Sequence, residues 1–137
     1  MSDALPPFAL PAVTRTTLAL FAGASGDHNP IHIDLDHARA AGYDDVFAHG
    51  MLSMAWLGRA LESWVGPTHV RDLGVRFVHL THVGDVPTCH AVVREVDGDV
   101  AHLDLEIRLA DGTVTVTGRA VVDTDALPHP SKENPHE

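Results

Sequence analysis

Residues 50–65 read Gly-Met-Leu-Ser-Met-Ala-Trp-Leu-Gly-Arg-Ala-Leu-Glu-Ser-Trp-Val, with Gly66-Pro67 directly behind them. Leu52, Ala55, Gly58 and Leu61 recur at helical spacing, and Met51, Met54, Leu57 and Trp64 widen the apolar stripe. The Gly-Pro pair ends the pattern, because proline cannot continue a helix. A helix that is apolar on most sides, with small Ala55 and Gly58 inside it, is expected to be deeply buried. Burial on that scale needs a sheet to wrap the helix.

The residues after it supply one. Segments 70–80, 86–96, 100–109 and 113–122 read as four strands. In the third, Leu103, Leu105, Ile107 and Leu109 alternate with His102, Asp104, Glu106 and Arg108. Such one-sided alternation predicts an antiparallel sheet with one face on the core and one in water. Asp97-Gly98-Asp99 and Asp111-Gly112 are hairpin turns by composition. A long buried helix inside a curled antiparallel sheet is an α+β layout.

Upstream, residues 1–12 are proline-rich and extended. Thr14 or Thr16 is expected to cap a short helix over 17–22 that ends at Gly23, and Asp34 to cap another over 35–41, stopped by Gly42. Residues 1–124 make one domain, and the polar, proline-rich segment 125–137 is expected to be a disordered tail. No internal repeat occurs.

Composition narrows the function. The chain has 137 residues, 45% apolar and 20% charged, as expected of a single globular domain. Nineteen acidic against nine basic residues give a net charge of −10, which repels nucleic acid and anionic membranes. The one cysteine, Cys89, permits no internal disulfide and reads as a small strand residue. No basic segment followed by an apolar run opens the chain, and no run is long enough to span a bilayer. A cytoplasmic location is the expectation.

The chemistry concentrates in Ser25-Gly26-Asp27-His28-Asn29-Pro30-Ile31-His32-Ile33-Asp34, followed by Ala48-His49-Gly50-Met51-Leu52. Asn-Pro turns the chain between Asp27 and His32, so a carboxylate and an imidazole can converge on one small volume. That pair is the minimum equipment for moving protons on and off a water molecule. Gly50 stands at the predicted N-terminus of the long helix, where unbonded backbone N–H groups favour negative charge and no Cβ obstructs a carbonyl.

These two motifs, with Phe21-Ala22-Gly23-Ala24 ahead of them, resemble the hydratase signature of MaoC-like (R)-specific enoyl-CoA hydratases and 3-hydroxyacyl-thioester dehydratases. The resemblance continues through Leu73-Gly74-Val75-Arg76-Phe77, Val83-Gly84-Asp85 and the final strand, covering about residues 10–123. It implies the hot-dog fold, a sheet wrapped around a central helix, and dimers joined sheet edge to sheet edge. It also implies that Asp27 and His32 grip and relay the protons of a water adding to an enoyl-CoA, giving a (3R)-hydroxyacyl product. Gly50 then offers its backbone N–H as the oxyanion hole.

Asn29, His49, Met51 and Ser53 are candidates for the substrate-binding region. Each has a structural alternative or neighbour to be weighed. Asn29 reads also as the residue holding the loop, His49 as bonded to a backbone carbonyl, and Ser53 as core-facing and bonded to an i−4 carbonyl. Asp27 alone could be a turn residue, and Asp34 a cap. Packing of Met51, Trp56, Leu57 and residues 42–46 should set the acyl length. Arg71, Arg76 and Arg94 are the candidates for CoA phosphates, Arg76 foremost.

Neither cofactor nor metal is expected. His28, His32 and His37, or His79, His82 and His90, match no zinc spacing, and strand alternation puts His79 and His82 on different faces. Three other functions compete with a stand-alone hydratase. One is the catalytic subunit of a heterodimeric dehydratase, paired with a second hot-dog chain and acting on bulky acyl groups. Another is an acyl-CoA thioesterase, which would want an acid on the long helix, where only Glu62 stands. The third is a non-catalytic acyl-binding subunit, disfavoured because Asp27 and His32 are both present.

Overall fold

The computed structural model describes residues 3–128. In chain order the elements are β1 (Phe8–Ala9), α1 (Arg15–Ser25), α2 (Leu35–Ala40), α3 (Gly50–Val65), β2 (Val70–Phe77), β3 (Thr88–Asp97), β4 (Val100–Arg108) and β5 (Val114–Asp123). The strands form one antiparallel sheet in the order β1-β3-β4-β5-β2.

α3 occupies the expected sixteen residues, from the extended cap His49 to Gly66, whose φ of 85° favours a residue without Cβ. It packs against β2, β3, β4 and β5. Leu52, Trp56, Leu57, Ala60, Leu61, Trp64 and Val65 are buried on it. Their partners include Leu103, Leu105 and Ile107 of β4 and Val116, Ala120 and Val122 of β5. The alternation read in residues 100–109 is therefore the sheet's core-facing row.

The helix is not buried all round. Met51 is 57% exposed, Ala55 is exposed, and Met54 and Gly58 are half-buried. The sheet covers one side of the cylinder. On the other side the end of α1 approaches only the first turns of α3, which leaves a groove.

The N-terminal segment adds an edge to the sheet. Val93 donates to the Asp3 carbonyl, and Leu5, Leu10 and Val13 donate to the carbonyls of Ala91, Pro87 and Asp85. β1 is the part of this strap that pairs as a strand, and Pro6 and Pro7 are tolerated because an edge needs fewer donors. The Trp64 indole donates to the Pro6 carbonyl at 2.7 Å, fastening the strap to α3.

Several boundaries differ from the sequence reading, most of them by one or two residues. α1 continues through Gly23 to Ser25, and Gly26, at φ 76°, provides the left-handed cap, with Thr14 capping the start. One glycine inside a helix costs only about 0.5–1 kcal/mol, too little to end it there. α2 ends at Ala40, one residue early, with Ala41 as its cap. β2 stops at Phe77, because the N–H groups of Val78 and His79 both turn to the Thr115 carbonyl. Strand alternation therefore does not extend to His79 and His82, whose rings come within 6.2 Å of each other, contrary to the expectation that they part.

The ordered chain also passes residue 124. Thr124–Ala126 form a 3-10 turn, and Ala126 and Leu127 pack on the core, so the first part of the expected tail is structured. Residues 129–137 lie outside the described residues. Cys89 is fully buried in β3, where desolvation pushes its thiol up to about 12. Among the described residues, no helix is long and apolar enough to cross a membrane.

Candidate active site

The loop between α1 and α2 is wound by its own short side chains. Ser25 Oγ accepts from the Asp27 N–H, Asp27 Oδ1 from the Asn29 N–H, and Asn29 Oδ1 from the Ile31 N–H, each at 3.2 Å. Pro30 then opens a one-turn 3-10 helix, Pro30–His32, and Asp34 Oδ1 caps α2 through the N–H groups of Asp36 and His37. Both structural alternatives thus have a counterpart here. Asn29 holds the loop and Asp34 caps a helix, while Asp27 commits one oxygen to its turn and keeps the second.

The winding brings Asp27, His32 and His49 together, with a carboxylate oxygen and two ring nitrogens all within 4.8 Å of one another. His32 Nδ1 donates to the Phe47 carbonyl at 2.8 Å. Because a carbonyl only accepts, the neutral ring carries its proton on Nδ1 and leaves Nε2 as a lone pair. His49 donates from Nε2 to the Asp27 carbonyl at 3.1 Å. The two imidazoles stack, with centroids 3.9 Å apart and planes inclined by 27°. Phe21 meets the far edge of His49, and Phe47 the edge of His32.

His49 is 1% exposed. Desolvation pushes its imidazole below the usual histidine range, the hydrogen bond to Asp27 opposes this, and His32 adds to it. The three donor atoms are close enough together to hold a metal ion, which the histidine spacing in the sequence did not signal, although the stacked rings hold their in-plane lone pairs out of line with one another.

The groove beside this cluster has a volume of about 530 Å³ and is lined by Phe21, Ser25, Asp27, Met51, Met54 and Ala55. Gly50 is exposed at the start of α3. Among the described residues, no backbone carbonyl accepts from the N–H of Gly50 or Met51. A Cβ built on Gly50 would lie 3.4 Å from the ring of Phe77, so that ring flanks the helix terminus.

The candidate residues therefore separate. Asp27 and Met51 line the groove, with His32 beside Asp27 and Gly50 at the head of the helix. His49 lies beneath, bonded to the Asp27 carbonyl, and Ser53 is buried at 4% exposure. Trp56, Leu57 and Val46 are core residues and do not line the groove, contrary to the expectation for the acyl channel. Each residue step rotates a helix position by about 100°, so Trp56 and Leu57 turn to the sheet while Met54 and Ala55 turn away. Phe21, Ser25, Met54, Ala55 and Phe77 escaped the sequence reading. Met54 and Ala55 follow Met51 at i+3 and i+4, which was the available signal.

A larger hollow of about 780 Å³ lies between β2, β5 and β4, with Arg76, Asp104, Glu106 and Arg119 around it. It contains no imidazole, and Asp104 is already approached by Arg119 and by Arg94 at 3.5 Å. The smaller groove is the one at which an imidazole and a carboxylate meet apolar walls. Of the other arginines considered for phosphate, Arg71 is paired with Asp123.

A central helix held against a curled antiparallel sheet defines the hot-dog fold. The chain belongs to the MaoC like domain family, whose model matches residues 9–117. It is 27% identical over 116 residues to the (R)-specific enoyl-CoA hydratase of Rhodospirillum rubrum, covering 83% of this chain and 77% of that one. It is 32% identical over 118 residues to a UPF0336 protein of Thermobifida fusca, covering 77% and 78%. Among solved structures, the (R)-hydratase from A. caviae involved in PHA biosynthesis superimposes with a TM-score of 0.80 at 25% identity, over 93% of this chain and 96% of that one. A chain of the ChsH1-ChsH2 complex from Mycobacterium tuberculosis shares the fold with the same TM-score at 24% identity, over 89% and 95%.

Proposed function

We propose that the protein is a hydro-lyase that adds water reversibly across the double bond of a trans-2-enoyl-CoA, giving the (3R)-hydroxyacyl thioester. The observation that carries this reading is the meeting of Asp27 and His32 within 4.8 Å at the edge of an apolar groove. His32 Nε2, left unprotonated by the Nδ1–Phe47 bond, and the second oxygen of Asp27 hold one water. Its oxygen bonds to Cβ, one of its protons passes to the dyad, and a proton returns from the dyad to Cα. Delivery by a single water makes the addition syn. The thioester oxygen, on which enolate charge develops, lies at the Gly50 N–H, and the acyl chain runs along Phe21, Met54 and Ala55.

The apolar lining of the groove and the 27% identity to an (R)-specific enoyl-CoA hydratase support this substrate class. Pairing along the β2 edge with a second chain of the same fold completes the reading. Among the described residues β2 is hydrogen-bonded on one side only, to β5, and Phe77 at its end is 48% exposed. Light scattering that reports a single copy would overturn pairing with itself and leave a different chain of the same fold as the partner.

The test is incubation of the purified protein with crotonyl-CoA and a longer 2-enoyl-CoA, following loss of the enoyl absorbance and the configuration of the product. The expected result is a 3R product, abolished by Asp27→Asn and by His32→Ala. Release of free thiol from saturated acyl-CoA without hydration would assign a thioesterase instead.

A further inference from the structure

His49 occupies a place that an apolar side chain could fill at lower cost. It is 1% exposed, and its Nδ1 has no hydrogen-bond partner among the described residues. A buried acceptor left unpaired is destabilising, and a phenyl ring of similar shape would avoid the penalty. The imidazole must therefore serve through its other contacts. Three converge on it. Its Nε2–H reaches the Asp27 carbonyl at 3.1 Å, its face stacks on His32 at 3.9 Å, and its edge meets Phe21 at 4.9 Å. Its backbone is also the N-cap of α3, immediately before Gly50.

We infer that His49 is a positioning residue, tying the Asp27 turn, the His32 ring and the start of α3 into one rigid unit. Among the described residues, no other side chain is hydrogen-bonded or stacked to all three. Asp27 and His32 lie on a loop whose remaining side-chain bonds are local, except for the bond from His32 to Phe47. Without His49, the turn carrying the carboxylate would have no side-chain link to the helix carrying Gly50. This inference rests on the hydratase reading for its kinetic arm only.

The ring works in its neutral form. Nε2–H is fixed on a carbonyl, Nδ1 is a lone pair in a dry site, and a second proton would place a cation against His32. Asp27 and His32 are the titratable groups facing it, and the Phe21 ring against it carries no charge. Burial lowers its proton affinity in the same direction.

Two substitutions divide the contacts. His49→Phe keeps a stacking ring and loses the N–H, whereas His49→Gln keeps an N–H near the Nε2 position and loses the ring. With crotonyl-CoA, His49→Phe should lower kcat about 10- to 100-fold, the size of effect that misplacement by about 1 Å produces, while KM stays within about twofold. His49→Gln should recover part of the loss. Nitrogen-15 spectra of the wild-type imidazoles read the same inference without activity. They should show His49 as the neutral Nε2–H tautomer at neutral pH, titrating below the usual histidine range, and His32 as the Nδ1–H tautomer. In His49→Phe, His32 should keep that tautomer through Phe47, while the Asp27 turn, its carbonyl without the His49 donor, should loosen and show faster hydrogen exchange at the Asn29 N–H.

A charged His49 at neutral pH, or variants with unchanged kcat and unchanged exchange at the Asn29 N–H, would overturn the inference. If the wild type hydrates no 2-enoyl-CoA, the hydratase reading falls, and the spectra still decide the role of His49.

Discussion

His32 Nδ1 lies 2.8 Å from the backbone oxygen of Phe47. That single contact sets the tautomer of the proposed base, because a carbonyl oxygen can only receive the proton. Asparagine places its amide nitrogen near the Nδ1 position and offers nothing at Nε2. His32→Asn is therefore expected to keep the tether and lose the base. Hydration rate should fall by about 10²–10⁴, the usual contribution of general acid–base groups. The melting temperature should fall by only about 3–6 °C, since losing one stacked ring pair at a half-buried position costs about 1 kcal/mol.

Gly50 gives a different test. Its φ is not positive, and the nearest obstacle to a Cβ is the ring of Phe77 at 3.4 Å, on a side chain that is 48% exposed and able to shift. Gly50→Ala should fold normally and melt no lower than wild type, because alanine is favoured in helices by about 0.8–1 kcal/mol over glycine. The backbone donor survives, but the methyl group stands where the thioester oxygen approaches. A drop in kcat/KM of about tenfold or more is expected from steady-state kinetics. Unchanged kinetics would remove Gly50 from the site.

Two other glycines should respond in opposite senses. A Cβ on Gly118 of β5 would lie 2.8 Å from the Gly74 carbonyl oxygen and 3.2 Å from Val75 Cγ1 on the neighbouring strand. Gly118→Ala should cost about 1–3 kcal/mol in urea denaturation, since the obstacle is backbone. Gly23, inside α1, has nothing within 4 Å of such an atom. Gly23→Ala should stabilise the protein by up to about 1 kcal/mol.

The bidentate pair between Arg15, at the start of α1, and Asp45 supports the segment leading into the site. Hydrogen bonding to Arg15 holds the Asp45 carboxyl below its usual range. A carboxyl depressed in the folded state stabilises the protein above its unfolded pKa, near 3.9, and ceases to do so as pH falls through the folded value. Asp45→Asn can still accept the Val46 N–H bond that Asp45 Oδ1 accepts at 2.7 Å, so it isolates the ion pair. Melting curves of variant and wild type should differ by a constant amount above about pH 5 and begin to converge only as pH falls below about 4. A gap that does not narrow on acidification below that point would contradict the assignment.

Legibility in the sequence followed the reach of the interactions. The limits of α3 were readable because its stop signal is local, and the core row of β4 because alternation needs only neighbouring residues. Asp27 and His32 were readable because short polar side chains and proline wind the loop within a few residues. The open side of α3 was not. An apolar stripe around most of a helix does not say which side a sheet will cover, and Met54 and Ala55 turned outward while Trp56 and Leu57 turned in. The His32–His49 stack joins residues seventeen apart and left no local trace.

The chain has two tryptophans, and both lie on the sheet side of α3, Trp56 at 6% exposure and Trp64 at 8%. Neither lines the groove, and the Trp64 indole is held by the strap through Pro6. Intrinsic fluorescence is consequently an optical readout of core integrity. It should red-shift sharply when the sheet peels from the helix and stay steady while the groove fills. The same emission signal can thus separate a variant that has lost its fold from one that has lost only its chemistry.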